Sequence, residues 1–205
     1  MRKLAYWILN IPFVWIIFQH FVGANQWKSQ MYPSVFLSQG KLLDFGCSMG
    51  NNTGDFLDFE YTGVDMDCAM IDAAKKRWAA HSNVHFECGD ITTMPEKAGQ
   101  FDHVLFACTG HHLTDEEMPR ILDALMQSLK PGGEIHFFDP LKQPEKDGFT
   151  TRLIMNNDQG KNMRTREEYD RMFAPYPVVE KKLFPSPNYR PVKLQDMLYF
   201  RVRKS

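Results

Sequence analysis

The sequence lacks the spacing patterns of metal-binding and disulfide-rich proteins. Its 205 residues include only four cysteines, Cys47, Cys68, Cys88 and Cys108, with no C-x-x-C pair and no histidine at zinc-finger spacing. We therefore predict no metal site and four reduced thiols, as is usual in the cytosol. Each cysteine falls at or just after the end of a predicted strand, which explains their regular spacing without an internal repeat.

The sequence also has little net charge. It carries 24 Lys+Arg against 25 Asp+Glu, a formal net charge of −1. A global attraction to nucleic acid is thereby excluded, and we predict no nucleic-acid partner. The balance is uneven, because residues 1–140 hold 10 basic and 17 acidic groups whereas residues 141–205 hold 14 and 8. The aromatic content of 13% is too high for a disordered chain, and the length suits one domain.

Charge is missing altogether from one segment near the amino terminus. No Asp, Glu, Lys or Arg occurs from Leu4 to Trp27, which approaches the length of a membrane span. One proline and three polar residues interrupt this segment. We therefore predict that residues 11–22 form a helix of a soluble protein, and we disfavour a signal peptide or a membrane-spanning helix. Three interpretations of the segment 1–39 stay open: a core helix, a lid over an apolar pocket, and a peripheral membrane contact through residues 4–27.

From residue 41 onward, short apolar segments alternate with helical patterns. The predicted strands are Lys41–Phe45, Glu60–Asp65, Val84–Cys88, Asp102–Ala107, Glu134–Asp139, Val178–Phe184 and Leu194–Val202. The predicted helices lie near Asn51–Leu57, Cys68–Ala80 and Asp115–Leu129, and between a capping box at Thr165 and Ala174. Strands separated by helices pair in parallel, so we predict an α/β, doubly wound, mostly parallel sheet with an antiparallel carboxy-terminal pair. Residues 40–205 form one predicted domain.

Acidic residues mark the ends of the first three predicted strands. Asp44 and Asp65 lie in the first and second strands, and Asp90 follows the third. Open α/β sheets bind ligands outside the carboxyl ends of their strands, where a carboxylate can accept the hydroxyls of a ribose. The glycines of the first loop are not spaced as G-x-G-x-x-G, which disfavours a dinucleotide.

Five ordered motifs occupy this region: LLDFGCSMG, YTGVDMD, ECGDI, FDHVLFACTGHHL and LKPGG. Together they resemble the motifs of class I S-adenosylmethionine-dependent methyltransferases of the Rossmann-like fold, in the small-molecule (type 11) group that includes quinone-biosynthesis enzymes. The resemblance covers about residues 40–140. It implies S-adenosylmethionine as the cofactor and methyl transfer to a small molecule as the activity. One position departs from the family, because Ser48 stands where a glycine is usual.

The resemblance also implies which residues bind the cofactor. The loop after the first strand would bind the methionine part of the cofactor. The end of the second strand would bind the ribose and the end of the third strand the adenine. The end of the fourth strand would lie near the sulfur. These residues are Asp44, Gly46, Cys47, Ser48 and Gly50; Asp65 and Met66; Asp90 and Ile91; and Ala107 and Cys108.

Candidate catalytic residues follow the fourth strand. His111 and His112 would face the methyl group, where a histidine can take a proton from the acceptor. A packing role for both histidines is the other interpretation.

Acceptor-binding residues are expected in the amino-terminal segment and in an insert at 140–175. Trp27 and Tyr32 offer aromatic surface, and Arg152 and Arg164 offer positive charge. This combination suits an acceptor with an apolar body and an anionic group, such as a lipid- or quinone-like molecule. A solvated basic surface is the alternative for the arginines.

Two further hypotheses bear on function and location. A chain that binds the cofactor without turnover would be a partner or regulatory subunit. A base methyltransferase is disfavoured, because the fourth strand lacks the Asn/Asp-Pro-Pro-aromatic motif. We expect a cytoplasmic location, with membrane association left open, and the sequence does not specify an oligomeric state.

The ribose assignment gives a direct test. Asp65→Ala should weaken S-adenosylmethionine binding by about one to two decades, because a charge-assisted hydrogen bond contributes about 1.5–3 kcal/mol. Isothermal titration calorimetry measures this affinity, and an unchanged affinity would contradict the assignment.

Overall fold

The computed structural model describes residues 24–158, 160–186, 188–189, 192–193 and 195–205. The predicted helix over residues 11–22, and most of the segment assigned to membrane contact, lie outside these residues. In the part of the chain that is described, no helix combines the length and apolar character needed to cross a bilayer.

A seven-stranded sheet forms the centre of the fold. Its strands are β1 (Lys41–Phe45), β2 (Glu60–Asp65), β3 (Val84–Cys88), β4 (Phe101–Ala107), β5 (Leu129–Pro140), β6 (Val178–Phe184) and β9 (Met197–Arg203), and a separate ribbon pairs β7 (Asn188–Tyr189) with β8 (Val192–Lys193). The order is β3-β2-β1-β4-β5-β9-β6, with β9 antiparallel to both β5 and β6. This confirms the predicted α/β sheet and its antiparallel carboxy-terminal pair. The order reverses between β1 and β4, where a ligand crevice is expected.

Five α-helices flank the sheet in the described residues: α1 (Ala24–Met31), α2 (Cys68–Arg77), α3 (Glu117–Ser128), α4 (Phe149–Asn157) and α5 (Arg166–Phe173). The predicted capping box at the start of α5 is present, because Thr165 and Glu168 exchange side-chain and backbone hydrogen bonds. The predicted helix at Asn51–Leu57 is wrong, since only a 3₁₀ turn forms at Thr53–Asp55. Gly54 lowers the helix propensity there, and the polar side chains of Asn52 and Asp55 bond to residues outside the segment.

The two faces of the sheet bury alternate residues of each strand. On one face, Leu43, Val104 and Phe137 belong to a core cluster with α3 and α5. On the other face, residues one position away, such as Leu42 and Phe138, pack with α1 and α2. This alternation follows from the two-residue period of a strand. Both faces are covered, so the strand ends are where a ligand is expected to bind.

Three polar side chains are buried where β4 and β5 pair, at His103, Glu134 and His136. His103 Nδ1 lies 3.2 Å from His136 Nε2, and His136 Nδ1 lies 3.0 Å from the Tyr199 hydroxyl. Glu134 is paired with Arg203 at 2.7 Å. Burial lowers the pKa of both histidines, so they are neutral. Hydrogen bonding thus accounts for these buried polar groups.

The prediction of four reduced thiols is wrong for two of them. Cys68 and Cys88 form a disulfide, whereas Cys47 and Cys108 are free. Residues Asp65 and Cys88 are register partners in neighbouring parallel strands. The first residue of α2, three positions after Asp65, is therefore brought beside the end of β3, which the sequence spacing does not reveal.

Reduction of the Cys68–Cys88 disulfide should lower the free energy of unfolding by about 3 kcal/mol, because the bond closes a loop of about 20 residues in the unfolded chain. Denaturant unfolding with and without a reductant measures the difference. The Cys68→Ser/Cys88→Ser double variant should unfold like the reduced protein and should not respond to the reductant. Equal stability of the oxidised and reduced protein would contradict the prediction.

Candidate active site

The loop after β1 meets the loop after β4 at the point where the strand order reverses. Gly46 has φ +72°, and a Cβ at this position would lie 2.5 Å from Thr109 Oγ1. Ser48 adopts φ +50° in the left-handed region, which costs a non-glycine residue about 1–2 kcal/mol. The structure therefore explains why a glycine is usual at this position. Such strain is typical of functional loops.

Asp44 is fully buried beneath this loop. Its Oδ2 accepts a hydrogen bond from the Tyr61 hydroxyl at 2.6 Å and from Asn52 Nδ2 at 3.4 Å. Its Oδ1 is buried without a hydrogen-bond partner among the described residues. Burial raises the pKa of Asp44 to about 7, against the opposing effect of the two hydrogen bonds. This oxygen is an open acceptor for a cationic ligand group.

Asp65 connects the loops that follow β1 and β2. Its Oδ2 accepts the Ser48 backbone N–H at 2.8 Å, and its Oδ1 accepts the Asp67 N–H at 2.9 Å. The neighbouring Met66 leaves 73% of its surface exposed, which is unusual for a large apolar side chain. A flat apolar ligand group beside Asp65 would cover it.

Asp90 begins the 3₁₀ turn that follows β3. Its Oδ1 accepts bonds from both the backbone N–H and the hydroxyl of Thr92, at 2.9 and 2.8 Å, and neither bond uses Oδ2. Ile91 is buried beside it. Asp90 therefore combines a capping role with a second carboxylate oxygen directed elsewhere.

The end of β4 supplies the other wall. Ala107 is buried, and Cys108 is half-buried with φ +54°. Cys47, predicted to bind the cofactor, is 1% exposed and its side chain packs in the core. Cys47 can therefore contribute its backbone, but not its side chain, to the predicted cofactor site. A 3₁₀ turn, Gly110–His112, leads on from β4.

The two predicted catalytic histidines have opposite environments. The His111 ring is buried, with Nδ1 2.9 Å from Asp139 Oδ1 and Nε2 3.4 Å from Asp158 Oδ1. Burial opposes protonation of His111, but the charge and hydrogen bond of Asp139, aided by Asp158, hold its pKa well above the ordinary value. His112 is exposed, and partial desolvation followed by the charge of His111 lowers its pKa. Of these two histidines, His112 is therefore the one that is unprotonated at neutral pH.

The insert arginine Arg164 does not face an acceptor. Its Nη1 and Nη2 donate to the carbonyls of Gly110 and Leu113, at 3.0 and 2.7 Å. Its Nε and Nη2 also bond to Asp115 Oδ1, at 2.9 and 2.8 Å. Arg164 is only 3% exposed, so the predicted contact with an anionic acceptor is corrected: its guanidinium instead holds residues 110–113 in place.

The other predicted acceptor residues are divided in location. Arg152 is exposed and donates to the Pro144 carbonyl at 2.8 Å. Tyr32 is 2% exposed, and its hydroxyl donates to Asn52 Oδ1 at 3.1 Å, so it supports the Asp44 network instead of offering aromatic surface. Trp27 is half-buried against the α1 face of the core.

Comparison with known proteins agrees with this geometry. Residues 42–133 match the family model described as a methyltransferase domain. An uncharacterised methyltransferase from Oceanobacillus iheyensis is 26% identical over 166 residues, which are 80% of this chain and 72% of that protein. Phosphoethanolamine N-methyltransferase 1 of Zea mays is 31% identical over 159 residues, covering 73% of this chain but 30% of that protein. A solved S-adenosylmethionine-dependent methyltransferase from Leishmania major has a TM-score of 0.71 at 19% identity, over 98% of this chain and 81% of that one.

Residues 42–133 of this chain match the methyltransferase domain family, and the fold agrees with that of solved S-adenosylmethionine-dependent methyltransferases. The resemblance inferred from its motifs is thereby confirmed. The chain spans less than a third of the maize relative's length.

The residues of this methyltransferase fit the cofactor of its family. The unpartnered Asp44 Oδ1 suits the ammonium of the methionine part, and the exposed Met66 suits the adenine. Asp65 and Asp90 each retain acceptor capacity beyond their internal bonds. These features lie along the β1, β2 and β3 ends, in the order that the motifs imply.

Several residues of the site were missed by the sequence analysis. Asp139 ends β5 as Asp65 ends β2, so the same strand-end rule would have found it. Asp158 and Tyr169, whose hydroxyl donates to Asp139, give no such signal. Their approach depends on how the insert folds back.

The pKa of Asp44 predicts a pH-dependent cofactor affinity. Its folded pKa of about 7 exceeds the unfolded value, so its ionisation costs stability progressively as the pH rises from about 4 to 7. A cationic ligand group beside Oδ1 favours the ionised form. S-Adenosylmethionine should therefore bind more tightly at pH 8 than at pH 6 and displace a proton from Asp44.

Calorimetry in buffers of different ionisation enthalpy measures the released protons. At pH 6, where the cofactor's own amino group is almost fully protonated, the released proton comes from Asp44, and Asp44→Asn should lose this release. Identical proton release by both proteins would contradict the prediction.

Proposed function

We propose that this methyltransferase carries the methyl group of S-adenosylmethionine to an oxygen or nitrogen atom of a small, partly apolar acceptor. The observation that supports this most directly is the pairing of a strained β1 loop with an exposed, neutral His112. The first feature suits cofactor binding, and the second suits removal of a proton from the acceptor.

S-Adenosylmethionine supplies an electrophilic methyl group when it is bound. The protein's own contribution is to align an acceptor with that group and to exclude water, which can contribute about 7–11 kcal/mol through orientation alone. Asp44, Asp65 and Asp90 would fix the cofactor. His112 would accept the proton that the acceptor loses, since its lowered pKa keeps it unprotonated at neutral pH.

The acceptor's apolar part is supported by one exposed side chain of the insert. Phe149, at the start of α4, leaves 82% of its surface exposed, and an apolar acceptor would cover it. Of the two arginines predicted to meet an anionic group, Arg152 is the one with an exposed side chain. Phosphoethanolamine is the substrate named for the maize relative, so an amine bearing an anionic group belongs among the acceptors to be tested.

An acceptor panel tests the proposal. Amines such as phosphoethanolamine, phenols with apolar tails and carboxylates should be incubated with S-adenosylmethionine, and S-adenosylhomocysteine formation followed. Turnover with one class identifies the acceptor atom. Cofactor binding without turnover across the panel would favour a non-catalytic, cofactor-binding subunit.

His112→Asn should lower kcat by about 100- to 10,000-fold and leave the cofactor Kd unchanged, because it removes the proton acceptor and no cofactor contact. The wild-type kcat/KM should rise as the pH increases through the lowered pKa of His112, since the base must be neutral. The matched control is His85→Asn, which replaces an exposed histidine near the amino end of β3. Full turnover by His112→Asn would leave His112 with a packing role.

A further inference from the structure

The His111 ring lies between carboxylates from two different parts of the chain. Asp139 ends β5 and is fully buried, whereas Asp158 follows α4 in the insert and is 16% exposed. Their oxygens lie 2.9 and 3.4 Å from Nδ1 and Nε2 respectively. Because a carboxylate only accepts hydrogen bonds, both ring nitrogens must carry protons to satisfy this geometry. His111 is therefore an imidazolium.

The insert is packed directly against this ring. A Cβ on Gly160 would lie 2.0 Å from His111 Cδ2, so the insert backbone reaches a distance that only glycine allows. The backbone N–H of Asn162 donates to the His111 carbonyl at 2.9 Å. Asp158 Oδ1 also accepts the Gly160 N–H at 2.7 Å. The ring, its carbonyl and its partner carboxylate thus connect Asp158, Gly160 and Asn162 of the insert to the turn that carries His112.

The titratable and charged groups around the His111 ring come from several elements of the fold. Asp139 lies on β5, Asp158 follows α4, Tyr169 of α5 donates to Asp139, and His112 is the next residue of the turn. Arg164, over the Tyr169 ring at 5.8 Å, is paired with Asp115. Two carboxylates face one imidazolium directly, so the charged form is stabilised.

We propose that His111 is a positioning residue: as an imidazolium shared by Asp139 and Asp158, it fixes the insert over the 110–112 turn and thereby sets the position of His112. The proposal rests on methyl transfer with His112 as the proton acceptor. It separates the two adjacent histidines by role, since the buried one stays charged and orients while the exposed one stays neutral and accepts a proton.

The pH dependence follows from the direction of the shift. The folded pKa of His111 lies well above the unfolded value, so its contribution to stability is complete below about pH 6.5 and is lost as the pH rises through the folded pKa. The insert should therefore loosen at alkaline pH.

Asp158→Asn tests the proposal, because it keeps the size of the side chain and an acceptor oxygen but removes one of the two charges. The His111 pKa should fall by about one unit or more, as measured from ¹⁵N shifts of the imidazole nitrogens. The insert should become more sensitive to proteolysis at pH 8, and S-adenosylhomocysteine affinity should stay within about twofold of wild type. The matched control is Glu145→Gln, which removes the charge of an exposed carboxylate in the same insert.

Activity is measured with the acceptor that the panel identifies. In Asp158→Asn the acceptor KM should rise by about tenfold, with the alkaline limb of kcat/KM moved to lower pH. His111→Gln should show the same looser insert without any alkaline transition in its proteolysis. A purely structural role would change stability but would not move the alkaline limb.

Two results would overturn the proposal: a neutral His111 at pH 7 in the wild-type protein, or an unchanged His111 pKa and unchanged insert proteolysis in Asp158→Asn. Neither measurement needs an acceptor. A panel without turnover, combined with a charged His111 and a pH-dependent insert, would therefore contradict methyl transfer and leave the His111 contact with the insert supported.

Discussion

The close approach of the β1 and β4 loops is the constraint on which the rest of the site depends. Gly46 has no room for a side chain beside Thr109, and Ser48 and Cys108 both hold left-handed backbone conformations nearby. Parallel strands whose order reverses at this point place both loops at the same sheet edge. The strain is tolerated because buried strands on both sides fix the loop ends. The residues predicted to bind the cofactor and His112 thereby lie in or after the carboxyl ends of neighbouring strands.

Electrostatics give three neighbouring groups different protonation states. Asp44 is buried without a cation and has a pKa near neutrality, about 7. His111 is also buried but lies between two carboxylates and is charged, whereas His112 reaches solvent and is neutral. Desolvation acts on all three and sets the direction of the shift at Asp44 and His112, whereas at His111 the nearby carboxylates outweigh it. Asp44 Oδ1 can therefore accept a cationic ligand group, whereas Asp139 and Asp158 are already paired with His111.

The basic side chains of residues 141–205 are less available to ligands than the net charge of that part of the chain indicates. Arg164, Arg203 and Lys181 are paired with acidic side chains, two of which come from the acidic half of the chain. The opposite charges of the two halves therefore meet across the fold. The prediction from the sequence placed Arg164 beside an anionic acceptor. The structure pairs it with Asp115, which is 49 positions away in the chain, and the sequence does not reveal this contact.

Strand positions were predictable because each strand carries its own pattern. β1, β2, β3 and β6 have the predicted bounds, since apolar residues and flanking turn residues are local signals. The 3₁₀ turn at Thr53–Asp55 was not predicted, because its polar residues are used in tertiary contacts such as the bond between Asn52 and Asp44. The cofactor acids were predictable for the same local reason, since each ends or follows a strand.

The sequence by itself determined the α/β alternation and the motifs that resemble those of methyltransferases, because these depend on residues close together in the chain. Only the tertiary structure decided that Cys68 is bonded to Cys88 and that Arg164 holds residues 110–113 in place. It alone separated the charged His111 from the neutral His112, two adjacent and chemically identical residues. The physical reason is that protonation and pairing depend on which distant groups approach within a few ångströms, and chain folding sets those distances.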